Sequence, residues 1–378
     1  MSPTRVGANL MWLVPGVVGG SEEYSVRLLE AFGRLRPDDL ELVLFANRGL
    51  PAAHPGLVAA FPTVIAPGSG ASRASRVALE STWLARQGRV EGLDVVHHLG
   101  GTMPSRRTAP GVVTIHDLQP FVHPEHFSRV KRSYLRATVP PSVRRARLVV
   151  TLSRFTRDDV VERLGVDPDR MVLVPPGLDQ PDPVDPRLVT RVLRNRGLTD
   201  RPYFLYPAIT YAHKNHVTLV RAFAHVAAAD PEPVLVLTGG EADAEADLRV
   251  EIERLGLAGR VLRTGRVPVP EFDALFASAT ALTFPSRYEG FGMPVLEAMS
   301  RGIAVIASSN TALPEVAGGA GLLVDPDDVT AWAEAMTTVL RDPARRTELV
   351  ALGRARAETF NWQASAGALA AAYRVAAS

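Results

Sequence analysis

Two hydrophobic patterns alternate along the first half of the chain. Short apolar runs are typical of buried strands, whereas apolar residues that recur every three or four positions are typical of amphipathic helices. Their alternation predicts a parallel sheet covered by helices. The predicted strands are 4–14, 41–46, 62–66, 94–98, 112–116, 148–152 and 171–174, and the predicted helices are 21–36, 73–87, 128–147 and 154–164.

A proline-rich run interrupts this alternation. The segment from Val174 to Pro186 contains five prolines, so we interpret it as an interdomain linker rather than a helix or a central strand. The alternation then resumes, which predicts two domains, at residues 1–180 and 200–358. In the second part the predicted strands are 203–209, 234–238, 260–264, 281–284 and 304–307, and the predicted helices are 216–229, 329–341 and 361–376.

The composition agrees with two domains of ordinary size. A chain of 378 residues is long for a single core, and its 46% hydrophobic and 22% charged residues are typical of a soluble globular protein. The absence of cysteine excludes disulfides, thiolate zinc sites and cysteine nucleophiles. Because the formal net charge is only +2, any basic surface must be local.

Residues 6–18 are apolar and follow Arg5, as in the hydrophobic region of a signal peptide. Asn9 and Pro15 interrupt the run, and a helical pattern follows without a cleavage site. We therefore interpret it as a first strand that leads into a glycine-rich turn, with Ser21 as the N-cap of the first helix. No other stretch approaches the ~20 apolar residues of a membrane span.

The most informative stretch is PSRYEGFGMPVLEAM, residues 285–299. A buried strand is predicted to end before it, and its glycines allow the backbone to approach a ligand closely. Pro294 fits the first position of a helix, whose free N–H groups and dipole favour an anion. Glu289 and Glu297 are eight positions apart, so both carboxylates can border one ligand.

This combination resembles the Glu-seven-residues-Glu motif of the retaining family-4 glycosyltransferases. The resemblance implies the GT-B fold, an α/β architecture of two Rossmann-like doubly wound domains that face each other across a cleft, with the last helix, 361–376, packed back onto the first domain. It implies a metal-independent hexosyltransferase that moves a sugar from a nucleotide-diphosphate donor to a hydroxyl of a glycan, lipid-linked or small-molecule acceptor. The nucleotide-sugar is a substrate, and no cofactor is expected.

The resemblance also assigns roles to individual residues. Lys214 precedes a predicted helix, where an ammonium opposes the dipole, so a bound diphosphate would explain it; the alternative is an exposed surface lysine. Glu297 is expected to bind the ribose, and Glu289 to lie nearer the transferred sugar. Further expected contacts are Gly19 and Gly20 with the donor phosphate or the acceptor, His116 with the donor sugar, Val267 with the nucleobase through its backbone, and Gly290, Phe291, Gly292 and Met293 with the pyrophosphate and sugar.

The donor is expected to be GDP-mannose, because the HKNH turn that ends at His216 and the segment after His116 resemble those of mannosyl- and rhamnosyltransferases. One position departs from the family pattern. Ile209 stands where many members have an arginine, and His213 and Arg287 are candidates for the missing charge.

Two other polar groups are open to more than one interpretation. The pair His97-His98 closes a strand without a third ligand at metal-like spacing, so we interpret it as packing or as contact with the acceptor. Asp325 and Asp327 form a DxD string, but a cap of helix 329–341 by Asp327 or Asp328 is favoured over a metal site. No metal is therefore predicted.

The segment 129–147 is strongly basic and contains no acidic residue. It is either a solvated helix face or a patch for anionic lipid headgroups or a phosphorylated acceptor. The second interpretation predicts a cytoplasmic protein that contacts the inner face of the membrane peripherally. Nucleic acid is not expected, because aromatic residues are not interleaved. The basic residues are Arg129, Lys131, Arg132, Arg136, Arg144, Arg145 and Arg147.

Two other functions compete with sugar transfer. A nucleotide-sugar epimerase of the GT-B fold would share the nucleotide site and lack an acceptor. A non-catalytic nucleotide-sugar binding subunit would retain the site without turnover. Detection of sugar transfer, rather than of an epimer, separates the enzymes.

Overall fold

The computed structural model describes residues 2–17, 19–106 and 108–378. The chain forms two compact units. Unit 1 extends to Gly177 and includes the C-terminal segment Phe360–Ser378, and unit 2 comprises Leu178–Thr359. The chain therefore leaves unit 1 once and returns to it at its end.

Unit 1 is built on a parallel sheet, with seven strands in the described part of the chain. Its strands are β1 (Thr4–Leu10), β2 (Leu40–Ala46), β3 (Thr63–Ile65), β4 (Val95–His98), β5 (Gly111–Ile115), β6 (Leu148–Thr151) and β7 (Met171–Leu173). They lie in the order β3-β2-β1-β4-β5-β6-β7, and all residues of β4, β5 and β6 are buried. The order reverses between β1 and β4, which is where open α/β sheets bind ligands.

The helices of unit 1 follow the prediction with three differences. The first helix begins at Gly20, after Gly19, so the prediction that Ser21 is its N-cap was wrong. The predicted helix 73–87 contains one π-helical turn at Glu80–Leu84. Several short helices were not predicted. The helices are α1 (Gly20–Leu35), α2 (Leu50–Ala53), α3 (Pro55–Ala60), α4 (Arg73–Leu79), α5 (Ala85–Val90), α6 (Gln119–Val122), α7 (Arg129–Arg145) and α8 (Arg154–Leu164).

The last helix of the chain, Trp362–Ala377, belongs to unit 1. Asn361 caps it by accepting a hydrogen bond from Ala364 N. Its buried side chains include Trp362, Leu369 and Tyr373. Tyr373 packs edge-on against Phe32 of α1, with ring centroids 5.7 Å apart. This aromatic contact packs the last helix against α1.

Unit 2 has a six-stranded parallel sheet among the described residues. Its strands are β8 (Tyr203–Pro207), β9 (Val234–Thr238), β10 (Val261–Gly265), β11 (Ala281–Phe284), β12 (Ala304–Ser308) and β13 (Leu322–Val324). Their order is β10-β9-β8-β11-β12-β13, so the order reverses between β8 and β11. Leu205 of β8 pairs with Leu282 of β11, and the loops that follow these two strands therefore leave the same edge side by side.

The helices of unit 2 include one that the proline-rich run concealed. Pro186, the last proline of the predicted linker, is the first residue of a helix that Asp185 caps. The helices are α9 (Pro186–Asn195), α10 (His216–Ala229), α11 (Glu245–Arg254), α12 (Val269–Ala277), α13 (Met293–Ser300), α14 (Leu313–Ala317), α15 (Val329–Arg341) and α16 (Pro343–Ala357), and the terminal helix of unit 1 is α17.

Among the described residues, every helix is too short or too polar to cross a membrane.

Candidate functional site

The switch point of unit 2 brings a base and an acid together. Lys214 lies on the loop after β8 and Glu289 on the loop after β11, and Lys214 Nζ is 2.6 Å from Glu289 Oε1. The side chain of Lys214 is 20% exposed and that of Glu289 is 13% exposed. Two charges held this close and this far from water form a strong, charge-assisted contact.

The turn before α10 positions Lys214. Ala212–Lys214 forms one 3₁₀ turn, and the carbonyl of Lys214 accepts a 2.6 Å hydrogen bond from the Tyr206 hydroxyl of β8. Asn215 then has a left-handed backbone, with φ of 59°. Asn215 is the N-cap residue of α10 by position, but its side chain donates to the Pro326 carbonyl at 2.6 Å and does not cap the helix.

The loop after β11 is held by polar contacts that the sequence did not indicate. Ser286 Oγ donates to the Tyr288 carbonyl at 3.2 Å, and Asn310 Nδ2 donates to the Arg287 carbonyl at 2.9 Å. Glu289 N donates to Thr311 Oγ1 at 3.3 Å. Thr311 has φ of 57°, which is unusual for a β-branched residue and marks strain beside the acidic loop.

The start of α13 requires a glycine at one position. Gly292 is the N-cap residue with φ of 106°, and a Cβ there would lie 2.5 Å from Leu313 Cδ2. The helix begins at Met293, so Pro294 is its second residue rather than the predicted first. The N–H groups of this first turn precede the helical hydrogen-bond ladder and can face an anion.

The remaining candidates on this loop and helix lie next to the Lys214–Glu289 pair in sequence. Gly290 and Phe291 connect Glu289 to Gly292, and the Phe291 side chain is buried. Glu297 is half-buried within α13. Val267 is half-buried and lies on a different loop, the one after β10. In the sheet, β9 lies between β10 and β8, so this loop is not adjacent to the loop of Lys214.

The structure decides between the interpretations of the DxD string. The carboxylate of Asp327 pairs with the guanidinium of Arg287, with contacts of 2.5 and 2.8 Å. Asp328 caps α15 by accepting from Ala331 N at 2.9 Å, as the sequence predicted. Arg287 is therefore paired with Asp327 in this structure, and its replacement of the arginine missing at Ile209 stays a prediction.

In unit 1, His116 lies just after β5 with a defined tautomer. Its Nε2 is 2.8 Å from the Leu99 carbonyl, which can only accept, so Nε2 carries the proton. Burial lowers the pKa of His116 to about 4. The ring is therefore neutral at pH 7, and its Nδ1 lone pair has no hydrogen-bond partner among the described residues. Trp12 and Tyr24 flank the ring, with centroids at 6.0 and 5.5 Å.

The glycine-rich turn of unit 1 also follows the carboxyl end of a strand, β1. Gly19 has φ of 65°, which favours glycine, whereas Gly20 is the first residue of α1. A Cβ at either position would meet no atom within 4 Å, so the space beside them is open. Val18, which belongs to the predicted turn, lies outside the described residues.

The histidine pair at the end of β4 is part of the core. His97 Nδ1 lies 2.8 Å from the Tyr373 hydroxyl and Nε2 lies 2.7 Å from Thr114 Oγ1. His98 Nδ1 lies 3.2 Å from Asn9 Nδ2. Both imidazoles are buried, which supports the packing interpretation of this pair.

Comparison with protein families assigns both halves of the chain to glycosyltransferases. Residues 18–180 match the family described as Glycosyltransferase Family 4, and residues 193–356 match the family described as Glycosyl transferases group 1. The two matches include the candidate residues of unit 1 and of unit 2.

The similarity to individual proteins agrees with this family assignment. The chain is 31% identical over 272 residues to O-antigen chain mannosyltransferase B of Escherichia coli, which covers 71% of each chain. It is 32% identical over 231 residues to the GDP-mannose-dependent alpha-(1-6)-phosphatidylinositol monomannoside mannosyltransferase of Mycolicibacterium smegmatis, which covers 58% of this chain and 59% of that one. Its fold is similar to that of HepE from Anabaena in complex with UDP and glucose, with a TM-score of 0.72, 21% identity, and 97% and 98% of the two chains covered.

Proposed function

Because this chain belongs to the family-4 glycosyltransferases and has their GT-B fold, we propose that it is a retaining mannosyltransferase that uses GDP-mannose. The acceptor is a hydroxyl of a glycan, lipid-linked or small-molecule substrate. The observation that supports this proposal most directly is the Lys214–Glu289 contact at the switch point of unit 2, next to the glycine-initiated helix α13.

The donor pyrophosphate binds at the start of α13 in this proposal. The N–H groups of Phe291, Gly292 and Met293 face the phosphates, and Lys214 supplies the positive charge. Glu297 accepts hydrogen bonds from the ribose hydroxyls. Glu289 lies on the sugar side of Gly290, and the backbone at Val267 contacts the nucleobase. Gly19 and Gly20 provide the open turn of unit 1.

The reaction breaks the bond between the anomeric carbon and the phosphate oxygen, and the bonding electrons leave with the phosphate. Lys214 and the start of α13 stabilise the charge that develops there, which makes their contribution largest in the transition state. The acceptor oxygen then bonds to the anomeric carbon, and its proton passes to the leaving phosphate on the same face. This route retains the anomeric configuration and requires no protein base.

His116 positions the sugar and does not abstract a proton. Its Nε2–H is committed to Leu99, so its Nδ1 can accept a hydrogen bond from a sugar hydroxyl. Burial lowers its pKa to about 4, which makes it a weak base. A neutral, fixed acceptor is the chemistry that positioning requires.

The donor assignment rests on the named relatives. Both are mannosyltransferases by name, and one is described as GDP-mannose-dependent. The similarity to HepE, whose structure contains UDP and glucose, concerns the fold alone at 21% identity. The epimerase and binding-subunit alternatives are not favoured, because both family matches and both relatives are glycosyltransferases.

No catalytic metal is part of the proposal. Both DxD carboxylates have partners within unit 2: Asp325 accepts a hydrogen bond from Asp327 N, and Asp327 pairs with Arg287. We therefore expect transfer to continue in the presence of EDTA.

The basic segment 129–147 supports a peripheral contact with anionic lipid at the cytoplasmic face. The segment contains the whole of α7, where Arg129, Lys131 and Arg136 are exposed and Val130 is 75% exposed. Exposed cations beside an exposed apolar side chain suit a lipid headgroup surface. Co-sedimentation with phosphatidylserine vesicles tests this: binding should disappear in high salt, and a chain that ignores such vesicles would contradict it.

Two measurements test the donor and the reaction. Calorimetric titration with GDP, UDP and ADP should give the tightest binding for GDP. Incubation with GDP-mannose and an acceptor library, followed by NMR of the product, should show an α-linked mannoside, the configuration of the donor. Tighter binding of UDP would contradict the donor assignment, and a β-linked product would contradict retention.

A further inference from the structure

A short segment of unit 1 gathers three metal-ligating side chains. His123, Glu125 and His126 lie between α6 and α7, and each offers one ligand atom that lies within 4.8 Å of those of the other two. His123 Nδ1 is 3.2 Å and His126 Nε2 is 3.7 Å from Glu125 Oε1. The three side chains therefore hold their ligand atoms close together.

The backbone fixes this arrangement locally. Pro124–His126 forms a 3₁₀ turn in which His126 N donates to the His123 carbonyl and Phe127 N to the Pro124 carbonyl, each at 3.2 Å. His123 is also held to the end of α6, because its N–H donates to the Gln119 carbonyl at 2.8 Å. A three-residue turn that starts with proline loses little backbone entropy when its side chains bind an ion.

The two histidine side chains also lie close together before any ion binds. The imidazole planes of His123 and His126 are nearly parallel, with centroids 5.3 Å apart and planes 15° apart, so the two rings are already close together. Both histidines are partly buried, whereas Glu125 is exposed. The site is therefore anchored on its histidine side and open to solvent on its carboxylate side.

The measured separations suit a small divalent ion. A tetrahedral zinc ion with bonds of about 2.0–2.1 Å separates its ligand atoms by about 3.3 Å. The two His–Glu separations, 3.2 and 3.7 Å, bracket that value.

We propose that His123, Glu125 and His126 bind a divalent transition-metal ion, of which Zn²⁺ is the best chemical match. Two imidazoles and one carboxylate are borderline ligands that suit zinc, and three protein ligands leave a fourth position for water. The ion links the end of α6 to the start of α7 and thereby stabilises the segment that follows His116 and Asp117. It is separate from the sugar-transfer chemistry, so its presence or absence does not decide the proposed function.

The ordinary alternative is a surface ion pair. Glu125 accepts from His123. A hydrogen bond from its own backbone, and to a smaller extent the contacts with the two histidines, lower the pKa of the Glu125 carboxyl. An ion pair of this kind needs only two residues. A metal site needs three, and loss of either histidine then weakens it to a similar extent.

The test uses the full chain with any affinity tag removed, first stripped with EDTA and then exchanged into metal-free buffer. Calorimetric titration with ZnCl₂ should show one ion per chain. His123→Ala and His126→Ala should each weaken zinc binding by at least about tenfold, since ligand-set changes have effects of this order. Zinc should raise the melting temperature of the wild type and not that of His123→Ala.

His54→Ala is the matched control. His54 Nε2 also lies near a carboxylate, 2.8 Å from Glu22 Oε1, yet it belongs to no group of three ligating side chains in the described ranges. This variant should bind zinc like the wild type. Equal losses in His54→Ala and His123→Ala, or the absence of saturable binding at one ion per chain, would overturn the proposal.

A spectroscopic measurement covers the case in which an alanine variant folds poorly. Co²⁺ in place of Zn²⁺ should give the visible absorption of a four-coordinate site, and His126→Gln, which keeps the side chain's bulk and polarity, should abolish it. Melting curves in EDTA identify any variant that is destabilised without metal. A cobalt spectrum that His126→Gln leaves intact would also overturn the assignment.

Discussion

Lys214 and Glu289 meet at 2.6 Å although 75 positions separate them in the sequence. The contact exists because β8 and β11 are neighbours in the sheet of unit 2, and each strand delivers one of the two side chains to the same edge. In the proposed reaction, the donor pyrophosphate competes with Glu289 for the ammonium of Lys214. Glu289 therefore lowers the affinity for the nucleotide, while its carboxylate contributes to sugar transfer.

Glu289→Gln separates these two effects. Removing the carboxylate charge frees Lys214 for the phosphates, so we expect GDP to bind several-fold more tightly. Transfer should slow by tenfold or more, because the carboxylate beside the transferred sugar is lost. Calorimetry measures the first effect and steady-state kinetics the second.

Glu271→Gln is the control for this prediction. Glu271 also forms a close ion pair within unit 2, 2.5 Å from Arg196, but on the face between α9 and α12. It should change neither GDP affinity nor turnover. If Glu289→Gln instead weakened GDP binding, the proposed competition for Lys214 would be incorrect.

Gly292→Ala tests the start of α13. The backbone φ of 106° is unfavourable for alanine, and the new Cβ would lie 2.5 Å from Leu313 Cδ2. We expect a loss of about 1–3 kcal/mol in the free energy of unfolding and weaker GDP binding, because the first-turn N–H groups shift. Urea denaturation measures the first quantity and calorimetric titration the second.

Gly367→Ala provides the comparison, since Gly367 lies inside α17 with no atom within 4 Å of an added Cβ. Alanine there should stabilise the protein by roughly 0.5–1 kcal/mol. A Gly292→Ala variant as stable and as tightly binding as the wild type would contradict the role given to the helix start.

The sequence predicted most of the fold because its strands are strongly apolar. Runs such as Leu40–Ala46 and Val234–Thr238 are buried along nearly their whole length, so pattern and structure coincide. The acidic loop was also recognisable, because the Glu, Gly and Pro positions at 289–297 are set by local backbone geometry. The family comparison agrees with the resemblance drawn from that loop.

What the sequence did not indicate depends on contacts between distant residues. Thr311 supports the backbone of Glu289 from another loop, and Asn215 uses its side chain on Pro326 rather than on its own helix. Pro186 shows a different failure: a proline counted as a helix breaker is favourable at the first helical position once Asp185 caps it. Likewise, His123, Glu125 and His126 are brought together by the 3₁₀ turn Pro124–His126, which no hydrophobic period marks.

The buried histidines of unit 1 predict a dependence of stability on pH. Burial, with smaller effects from His98 and His116, lowers the pKa of His97 to about 3, well below the usual 6.5. Between pH 6.5 and 3 the unfolded chain therefore binds a proton that the folded chain does not. The free energy of unfolding should fall as pH falls through this window, by up to about 1.4 kcal/mol per pH unit for this one histidine.

His97→Gln isolates that contribution, because glutamine can replace the hydrogen bonds to Tyr373 and Thr114 without titrating. Its stability deficit relative to the wild type should be about 2 kcal/mol smaller at pH 5 than at pH 7. Tyr373→Phe, which leaves His97 in place, should show a more uniform deficit. Denaturation at several pH values measures both, and a pH-independent deficit in His97→Gln would contradict the assigned pKa.

Burial also lowers the pKa of His116, and this predicts how turnover depends on pH. Its pKa of about 4 keeps the ring neutral, and its Nε2–H remains on the Leu99 carbonyl. The pH profile of kcat should therefore show no rise or fall between pH 6 and 9 that comes from titration of His116. His116→Ala should lower kcat by about tenfold or more, the effect of one lost hydrogen bond of about 1.5 kcal/mol, while GDP affinity stays within a few-fold.

His116→Asn offers a partial rescue, because its amide oxygen can still accept a hydrogen bond from a sugar hydroxyl. We expect its kcat to lie between those of the wild type and His116→Ala, with an unchanged pH profile. A wild-type profile with an acidic limb near pH 6.5 that vanishes in both variants would instead identify His116 as a general base. In that case the proton of the acceptor would pass to the protein, and the same-face route through the leaving phosphate would have to be abandoned.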